Sequence, residues 1–373
     1  MKLMHLADLH IGKRVNEFSM IEDQRYILDE ILKITEEEKP DAVMIAGDVY
    51  DKTVPSAEAV ELLDEFLFKL SKLAVSIFVI SGNHDSPERI AFGGRIMKES
   101  RVYMSPVYEG EAKKITMEDE YGKVNFFLLP FIKPASVRRF FPDENIESYI
   151  DAIKAAVGNM DIDESERNVI ITHQFVTGSE RSESEELSVG GTDNVDVSCF
   201  YKFDYVALGH LHRPQKCTRD TVRYSGTPLK YSFSEANDNK SVTFVEMKEK
   251  GSVELYTVPL KPLHDMREIK GNFEEVSAGI NYTEDYVRVI LTDEDDVLDA
   301  LGKLRIVYPN LMRLDYDNMR TRHNSEITGP SDVNTKSPME LFGEFYELCN
   351  NSPMTEEQEK YMGALIEKIW GDN

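Results

Sequence analysis

With 373 residues, 41% of them hydrophobic and 10% aromatic, the chain is too long for one ordinary domain and too apolar to be disordered throughout. Its net charge of −25 advertises no basic face, so any hold on nucleic acid is expected to be local or supplied by a partner. No apolar stretch approaches the roughly 20 residues of a membrane helix. The opening residues carry no signal-peptide pattern, and Cys199, Cys217 and Cys349 match no zinc spacing, so a cytoplasmic chain with reduced thiols and no membrane contact is expected.

In chain order, short apolar runs at residues 3–6, 42–46, 77–80, 126–129, 169–171 and 205–208 alternate with helical patterns. This alternation predicts a layered α/β domain over residues 1–260, with further strands at 241–247 and 253–258. Residues 21–35 and 57–73 place apolar side chains at helical spacing, and Pro40-Asp41 ends the first helix before the next strand. From 264 to 318 the composition resets, and residues 286–291, 297–304 and 311–316 read as strand, helix and strand of a second, small α/β domain. The polar stretch 319–337, with Gly329-Pro330 and Ser337-Pro338, reads as a linker. The tail, 338–373, returns to two amphipathic helices. Leu341, Phe342, Phe345, Leu348 and Cys349 make one apolar stripe, and Met362, Leu365, Ile366 and Ile369 another. Thr355 and Gln358 give the second helix a capping-box signature.

The chemistry lies in how the apolar runs end. Met4-His5-Leu6-Ala7 leads into Asp8-Leu9-His10, and Val43-Met44-Ile45-Ala46 into Gly47-Asp48. Phe78-Val79-Ile80-Ser81 leads into Gly82-Asn83-His84-Asp85, Val169-Ile170-Ile171-Thr172 into His173, and Val206-Ala207-Leu208 into Gly209-His210-Leu211-His212. Five buried strands therefore deliver oxygen and imidazole ligands at their carboxyl ends, the edge where open α/β sheets bind ligands. Asp48 suits a bridge between two divalent ions, with Asp8, His10 and His212 completing one ion and Asn83, His173 and His210 the other. The glycines before Asp48, Asn83 and His210 allow sharp turns and close approach. Such ions, about 3.5–4 Å apart, activate water and clamp a phosphoryl centre. Oxygen and nitrogen ligands without thiolate favour Mn²⁺, Fe²⁺ or Zn²⁺. Taken singly, Asp-x-His, Gly-Asp or a lone histidine has a bland structural explanation. Taken in order, with five of the eight histidines consumed, they do not.

This ordered set resembles the calcineurin-like metallophosphoesterase superfamily. Within it, His5 through Lys13, Phe203 through Gln215, Tyr224-Ser225-Gly226-Thr227-Pro228-Leu229 and Ser232-Phe233-Ser234-Glu235 are similar to the SbcD family, the nuclease subunits of bacterial SbcC–SbcD complexes. The resemblance implies a four-layer α/β/β/α sandwich with a small α/β capping domain and a helical C-terminal tail. It also implies a di-manganese site on the seven ligands named above. His84 matches the histidine that contacts the scissile phosphate and assists the leaving oxygen. Asp85 is expected to orient His84 or a metal-bound histidine, with a helix-capping role as the structural alternative. The implied reaction is hydrolysis of DNA phosphodiesters, as a 3′–5′ double-strand exonuclease and single-strand endonuclease acting in DNA repair and recombination.

Three rivals remain open at this point. A protein phosphatase of the superfamily would carry an arginine after the Gly47-Asp48-Val49-Tyr50-Asp51 run, where this chain has Lys52-Thr53. A small-molecule phosphodiesterase or nucleotidase would share the core without needing a second domain and tail. A non-catalytic scaffold would be free to lose ligands, yet all seven and His84 are present. The tail helices either fold back or bind a partner, which the resemblance implies is an SbcC-type ATPase. A homodimer through residues 57–100 is likewise implied, although core packing accounts for most of the Leu62, Leu63, Phe66, Leu67 and Leu70 stripe. Gly190-Gly191-Thr192 reads as a flexible polar loop that could approach phosphate. No phosphate-binding Gly-x-x-x-x-Gly-Lys motif occurs, so ATP hydrolysis is not expected of this chain.

Overall fold

The computed structural model describes residues 1–177, 179, 194–322, 337–350 and 353–370. The Gly190-Gly191-Thr192 loop and most of the expected linker lie outside the described residues. The chain divides into two compact units, Met1–Met266 and Arg267–Asn373.

Two six-stranded sheets build the first unit. One runs in the order Val253–Pro259, Ser241–Met247, Lys2–Leu6, Ala42–Ala46, Ser76–Ile80, Val102–Met104. The other runs Gln215–Cys217, Arg219–Tyr224, Tyr205–Gly209, Arg167–His173, Gly122–Leu129, Lys113–Asp119. The middle strands pair in parallel in both sheets. Parallel strands are covered on both faces, which is why Val169-Ile170-Ile171 and Val43-Met44-Ile45 read as unbroken apolar runs.

The pleat sorts those runs into layers. Ala42, Met44, Ala46, Phe78 and Ile80 of the first sheet meet Phe126, Leu128, Val169, Ile171, Tyr205 and Ala207 of the second in one buried cluster. Alternate residues of the second sheet, Phe127, Leu129, Ile170, Val206 and Leu208, pack instead with Ala152, Ile153 and Ala156 of the helix Tyr149–Gly158. The helices Ile21–Glu38 and Ala57–Ser71 bury Ile27, Leu28 and Ile31 and Leu62, Leu63, Phe66, Leu67 and Leu70. The result is the expected four-layer α/β/β/α sandwich. Helix Ile21–Glu38 ends at Lys39, whose left-handed backbone turns the chain into Pro40.

The second unit centres on a three-stranded sheet, Met266–Gly271, Tyr286–Leu291 and Leu311–Tyr316. Val287, Val289, Leu291 and Leu311 pack against Val276 of helix Phe273–Ser277 and Ala300 and Leu304 of helix Ala300–Val307. The helix begins three residues later than its apolar pattern predicts, after Asp299 takes a left-handed backbone. The strand Met266–Gly271 and its following helix are absent from the sequence reading. Only Met266 of that strand is buried, so its pattern is that of a polar loop. Helices Pro338–Asn350 and Glu356–Trp370 form at the two apolar stripes, although the side chains of Leu348, Cys349 and Ile369 lie outside the described residues. The Thr355 amide donates to Gln358 Oε1 at 2.9 Å and the Gln358 amide to Thr355 Oγ1 at 3.3 Å, which is the capping box in both directions. Among the described residues no helix is long and apolar enough to cross a membrane.

Candidate metal centre

The five strand ends singled out in the sequence meet where the carboxyl edges of the two sheets face each other. Lys2–Leu6, Ala42–Ala46 and Ser76–Ile80 contribute from one sheet, Arg167–His173 and Tyr205–Gly209 from the other. The loops after the first two strands are zipped together: Asp8 N donates to Gly47 O at 3.0 Å, His10 N to Asp48 O at 2.9 Å and Ile11 N to Val49 O at 2.9 Å. Asp8, His10, Asp48 and His210 all take positive φ, at 54°, 44°, 47° and 105°. Left-handed backbone disfavours side chains, and such strain persists where the surroundings enforce it. Close approach does the enforcing. A Cβ on Gly82 would stand 2.1 Å from Asp48 Oδ1, and one on Gly209 would stand 1.9 Å from the Ala46 carbonyl oxygen.

Two groups of donor atoms form around Asp48. On one side, His10 Nε2 and His212 Nε2 are 3.1 Å apart. On the other, Asn83 Oδ1 lies 2.9 Å from His173 Nε2 and 3.0 Å from His210 Nδ1. Asp48 Oδ2 sits between them, 3.7 Å from His10 Nε2 and 3.3 Å from His173 Nε2. Asp8 backs the cluster: its carboxylate accepts the His210 amide at 3.0 Å and lies 3.8 Å from His173 Nδ1. His84 is the half-open member, with Nε2 3.9 Å from Asp48 Oδ2 and Nδ1 3.1 Å from the Asp51 carbonyl oxygen. All seven expected ligands and His84 are therefore gathered, and the ligands other than Asn83 are buried.

The outer nitrogens of two histidines show why this set fits cations. His173 Nδ1 lies 2.9 Å from the Ala46 carbonyl oxygen, a partner that can only accept, so Nδ1 carries a proton and Nε2 faces inward. His10 Nδ1 faces Asp51 Oδ1 at 3.6 Å, and Nε2 again points inward. Two nitrogens about 3 Å apart match two ligands at right angles on one ion with bonds of about 2.1 Å. Burial holds His10 well below the ordinary histidine range, only partly opposed by Asp48, so its imidazole is neutral. Burial also opposes the charge on Asp48, but His173, His10 and His84 outweigh it and keep the carboxylate ionised. His173, for its part, is raised to about 9 as Asp48 and Asp8 overcome burial. Two buried carboxylates thus gather positive charge, in the form of a proton when no cation is bound.

Asp85 takes a different role from the one expected. Among the described residues its carboxylate bonds to backbone amides rather than to His84 or another histidine, and the cap of the following helix is Ser86. Instead Oδ2 accepts the amides of Val49 and Gly82, at 3.0 and 2.9 Å, and Oδ1 accepts that of Tyr50 at 2.9 Å. It binds the loop carrying Asp48 to the loop carrying Asn83. Burial, aided by Asp48, pushes this carboxyl up to about 6 against those three amide bonds. Sequence reasoning also missed Gln24, whose Nε2 donates to the His10 carbonyl at 2.7 Å while its Oε1 accepts the Gly12 amide at 2.9 Å. Asp51 went unassigned although it closes the Gly47–Asp51 run, because it serves through its backbone and through Lys13, 2.7 Å from Oδ1.

The chain is similar to known families and relatives over most of its length. The family described as Calcineurin-like phosphoesterase matches residues 1–214, and that described as Type 5 capsule protein repressor C-terminal domain matches residues 262–350. Two curated relatives are named as the SbcD component of the nuclease SbcCD. One, from Staphylococcus epidermidis, is 33% identical over 376 residues and 99% of each chain. The other, from Staphylococcus saprophyticus, is 33% identical over 384 residues and 99% of each chain. A solved dimetal phosphatase from Danio rerio covers 70% of this chain and 99% of its own at 12% identity, with a TM-score of 0.41. The chain belongs to the SbcD nuclease family of the calcineurin-like phosphoesterases, and is a phosphoester hydrolase.

Proposed function

We propose that the chain is the cutting subunit of a DNA nuclease that works with an SbcC-type ATPase in the cytoplasm. The observation that carries the reading is Asp48 Oδ2, held between two converging groups of nitrogen and oxygen donors. Asp8, His10 and His212 with Asp48 would hold one divalent ion, and Asn83, His173 and His210 with Asp48 the other. Manganese suits this thiolate-free set. When bound, the ions supply an activated water and a clamp on the attacking and leaving oxygens. His84 stands at the open side of the cluster and donates to charge on the scissile phosphate or on the leaving 3′ oxygen. The chain acts as a 3′–5′ exonuclease on duplex ends and an endonuclease on single strands.

An acidic chain needs help to hold DNA. A partner ATPase with basic surfaces supplies it, docked on the tail helices, where Phe345 and Tyr361 are exposed. Dimerisation through residues 57–100 is supported by exposed Val60, Phe68, Phe92 and Ile96 beside a groove of about 360 Å³ lined by Leu63, Leu67 and Met97.

The test is cutting of end-labelled linear duplex DNA with Mn²⁺, Mg²⁺ or EDTA, with and without the ATPase, beside a His84→Gln control. Manganese-dependent shortening from 3′ ends, abolished in the variant while metal still binds, is the expected result. Turnover of a phosphoprotein or nucleotide with no DNA cutting under any condition overturns it.

A further inference from the structure

Behind His212 lies a buried ion pair that the chemistry described so far does not use. Glu235 closes a short turn, Phe233–Glu235, that Ser232 caps through the Ser234 amide. Lys240 immediately precedes the strand Ser241–Met247, which pairs with the strand leading into Asp8 and His10. The Lys240 backbone is fixed in turn, its carbonyl accepting the Leu260 amide at 2.9 Å. Glu235 Oε1 faces His212 Nδ1 at 3.8 Å, and Glu235 Oε2 accepts from Lys240 Nζ at 2.5 Å. The same ammonium donates to the His212 carbonyl oxygen at 2.8 Å. The contacts close a ring: imidazole, carboxylate, ammonium, and back to the backbone of the same histidine. The side chains of His212, Glu235 and Lys240 are 3%, 0% and 4% exposed.

We propose that Glu235 and Lys240 are positioning residues for His212, setting its ring and tautomer so that Nε2 is presented to the ion shared with His10. This rests on the two-metal reading and adds to it. A carboxylate facing Nδ1 keeps the proton there and frees Nε2, which stands 3.1 Å from His10 Nε2. Lys240 has two tasks. It offsets the buried charge of the Glu235 carboxylate, and it anchors the backbone from which the ring hangs. Purely as a fold element the pair is a poor investment, because two desolvated charges rarely outperform apolar residues of the same size. Its placement around a single ligand histidine gives it a reason.

Removing one partner alone would leave a bare buried charge and a poorly folded protein. The informative variant is therefore the double substitution Glu235→Gln with Lys240→Gln, which keeps side-chain length and hydrogen bonding and removes both charges. Manganese binding is measured by calorimetry and by electron paramagnetic resonance on the full chain, starting from EDTA-stripped protein. The wild type is expected to take two ions. The double variant is expected to keep one near wild-type affinity and to bind the other about 10- to 100-fold more weakly. In the cutting assay the manganese concentration for half-maximal rate rises correspondingly, while the rate at saturating manganese recovers.

A double variant that melts earlier yet binds both ions as tightly as the wild type would falsify the positioning role and leave a structural pair. Equal weakening of both ions would overturn it too, because the ring touches one histidine only. Two ions in the wild type with no cutting of DNA would instead sink the nuclease reading while the positioning claim stands on its binding data. A wild type that binds no manganese overturns both.

Discussion

The carboxylate of Asp85 accepts the amide of Tyr50 at 2.9 Å from a position 35 residues further along the chain. With the Val49 and Gly82 amides it makes three such bonds, so one side chain holds the loop of Asp48 against the loop of Asn83 and His84. Asp85→Ala leaves three buried amides without partners. Its expected cost is about 3–5 kcal/mol in denaturant unfolding of the metal-free protein, at about 1–3 kcal/mol for each lost partner with some relaxation. Activity falls with it, because Asp48 is misplaced. His84→Gln is expected to do the opposite, losing activity on the order of 100-fold or more with unfolding unchanged within about 0.5 kcal/mol. Equal stability of the two variants would contradict this division of labour.

Gly209→Ala tests the close approach of the two sheets. The added methyl would meet the Ala46 carbonyl oxygen at 1.9 Å and His173 Nδ1 at 2.7 Å, both of them rigid. Overpacking of this kind costs about 1–3 kcal/mol or more, and here the strain falls on two ligand-bearing strands. The expected outcome is weakened metal binding by calorimetry along with a lower melting temperature. Normal binding would mean that the sheets separate more easily than their packing implies.

At the far end of the second sheet, Arg167 is almost fully buried and grips Asp119 with both terminal nitrogens. Burial opposes ionisation of Asp119, but this guanidinium and the N-terminal ammonium, 2.7 Å from Oδ2, prevail and hold the carboxyl well below its ordinary range. A depressed carboxyl stabilises the fold above its unfolded value of about 3.9, and that contribution is lost as pH falls through the folded value. The stability gap between wild type and Asp119→Asn, on the order of 3 kcal/mol, should stay constant from about pH 8 to 5 and shrink below about pH 4. Urea unfolding at each pH measures it, and a gap that widens in acid would reverse the assignment.

The exposed apolar side chains of residues 57–100 make the proposed dimer testable without touching the proposed metal centre. Phe92 and Ile96 are 82% and 80% exposed. Phe92→Glu with Ile96→Glu is expected to shift sedimentation from dimer to monomer with little change in melting, since neither residue is part of a core. An unchanged sedimentation coefficient would move the interface elsewhere.

The residues gathered at the strand ends were legible because they follow largely apolar runs, the pattern that parallel strands covered on both faces leave in a sequence. What could not be read is what lies behind them. Asp85 adjoins His84 in the chain, yet its partners are amides at Val49 and Tyr50, which no local pattern announces. Glu235 stands in a recognisable run, but its partner Lys240 and its target His212 come together only through the turn of the backbone. Likewise the strand Met266–Gly271 is polar because it is largely exposed, so periodicity had nothing to register. Covered strands leave a trace in hydrophobicity; contacts to backbone atoms leave none.

The left-handed backbones of Asp8, His10, Asp48 and His210 set a limit on engineering. Each costs about 1–2 kcal/mol that glycine would not incur, so a laboratory selection for heat tolerance is drawn to these four positions. Every gain made there deletes one of the proposed ligands. Thermal hardiness and metal capture compete residue for residue at this one edge of the molecule, and a hardier version of the protein has to be sought in its helices and surface instead.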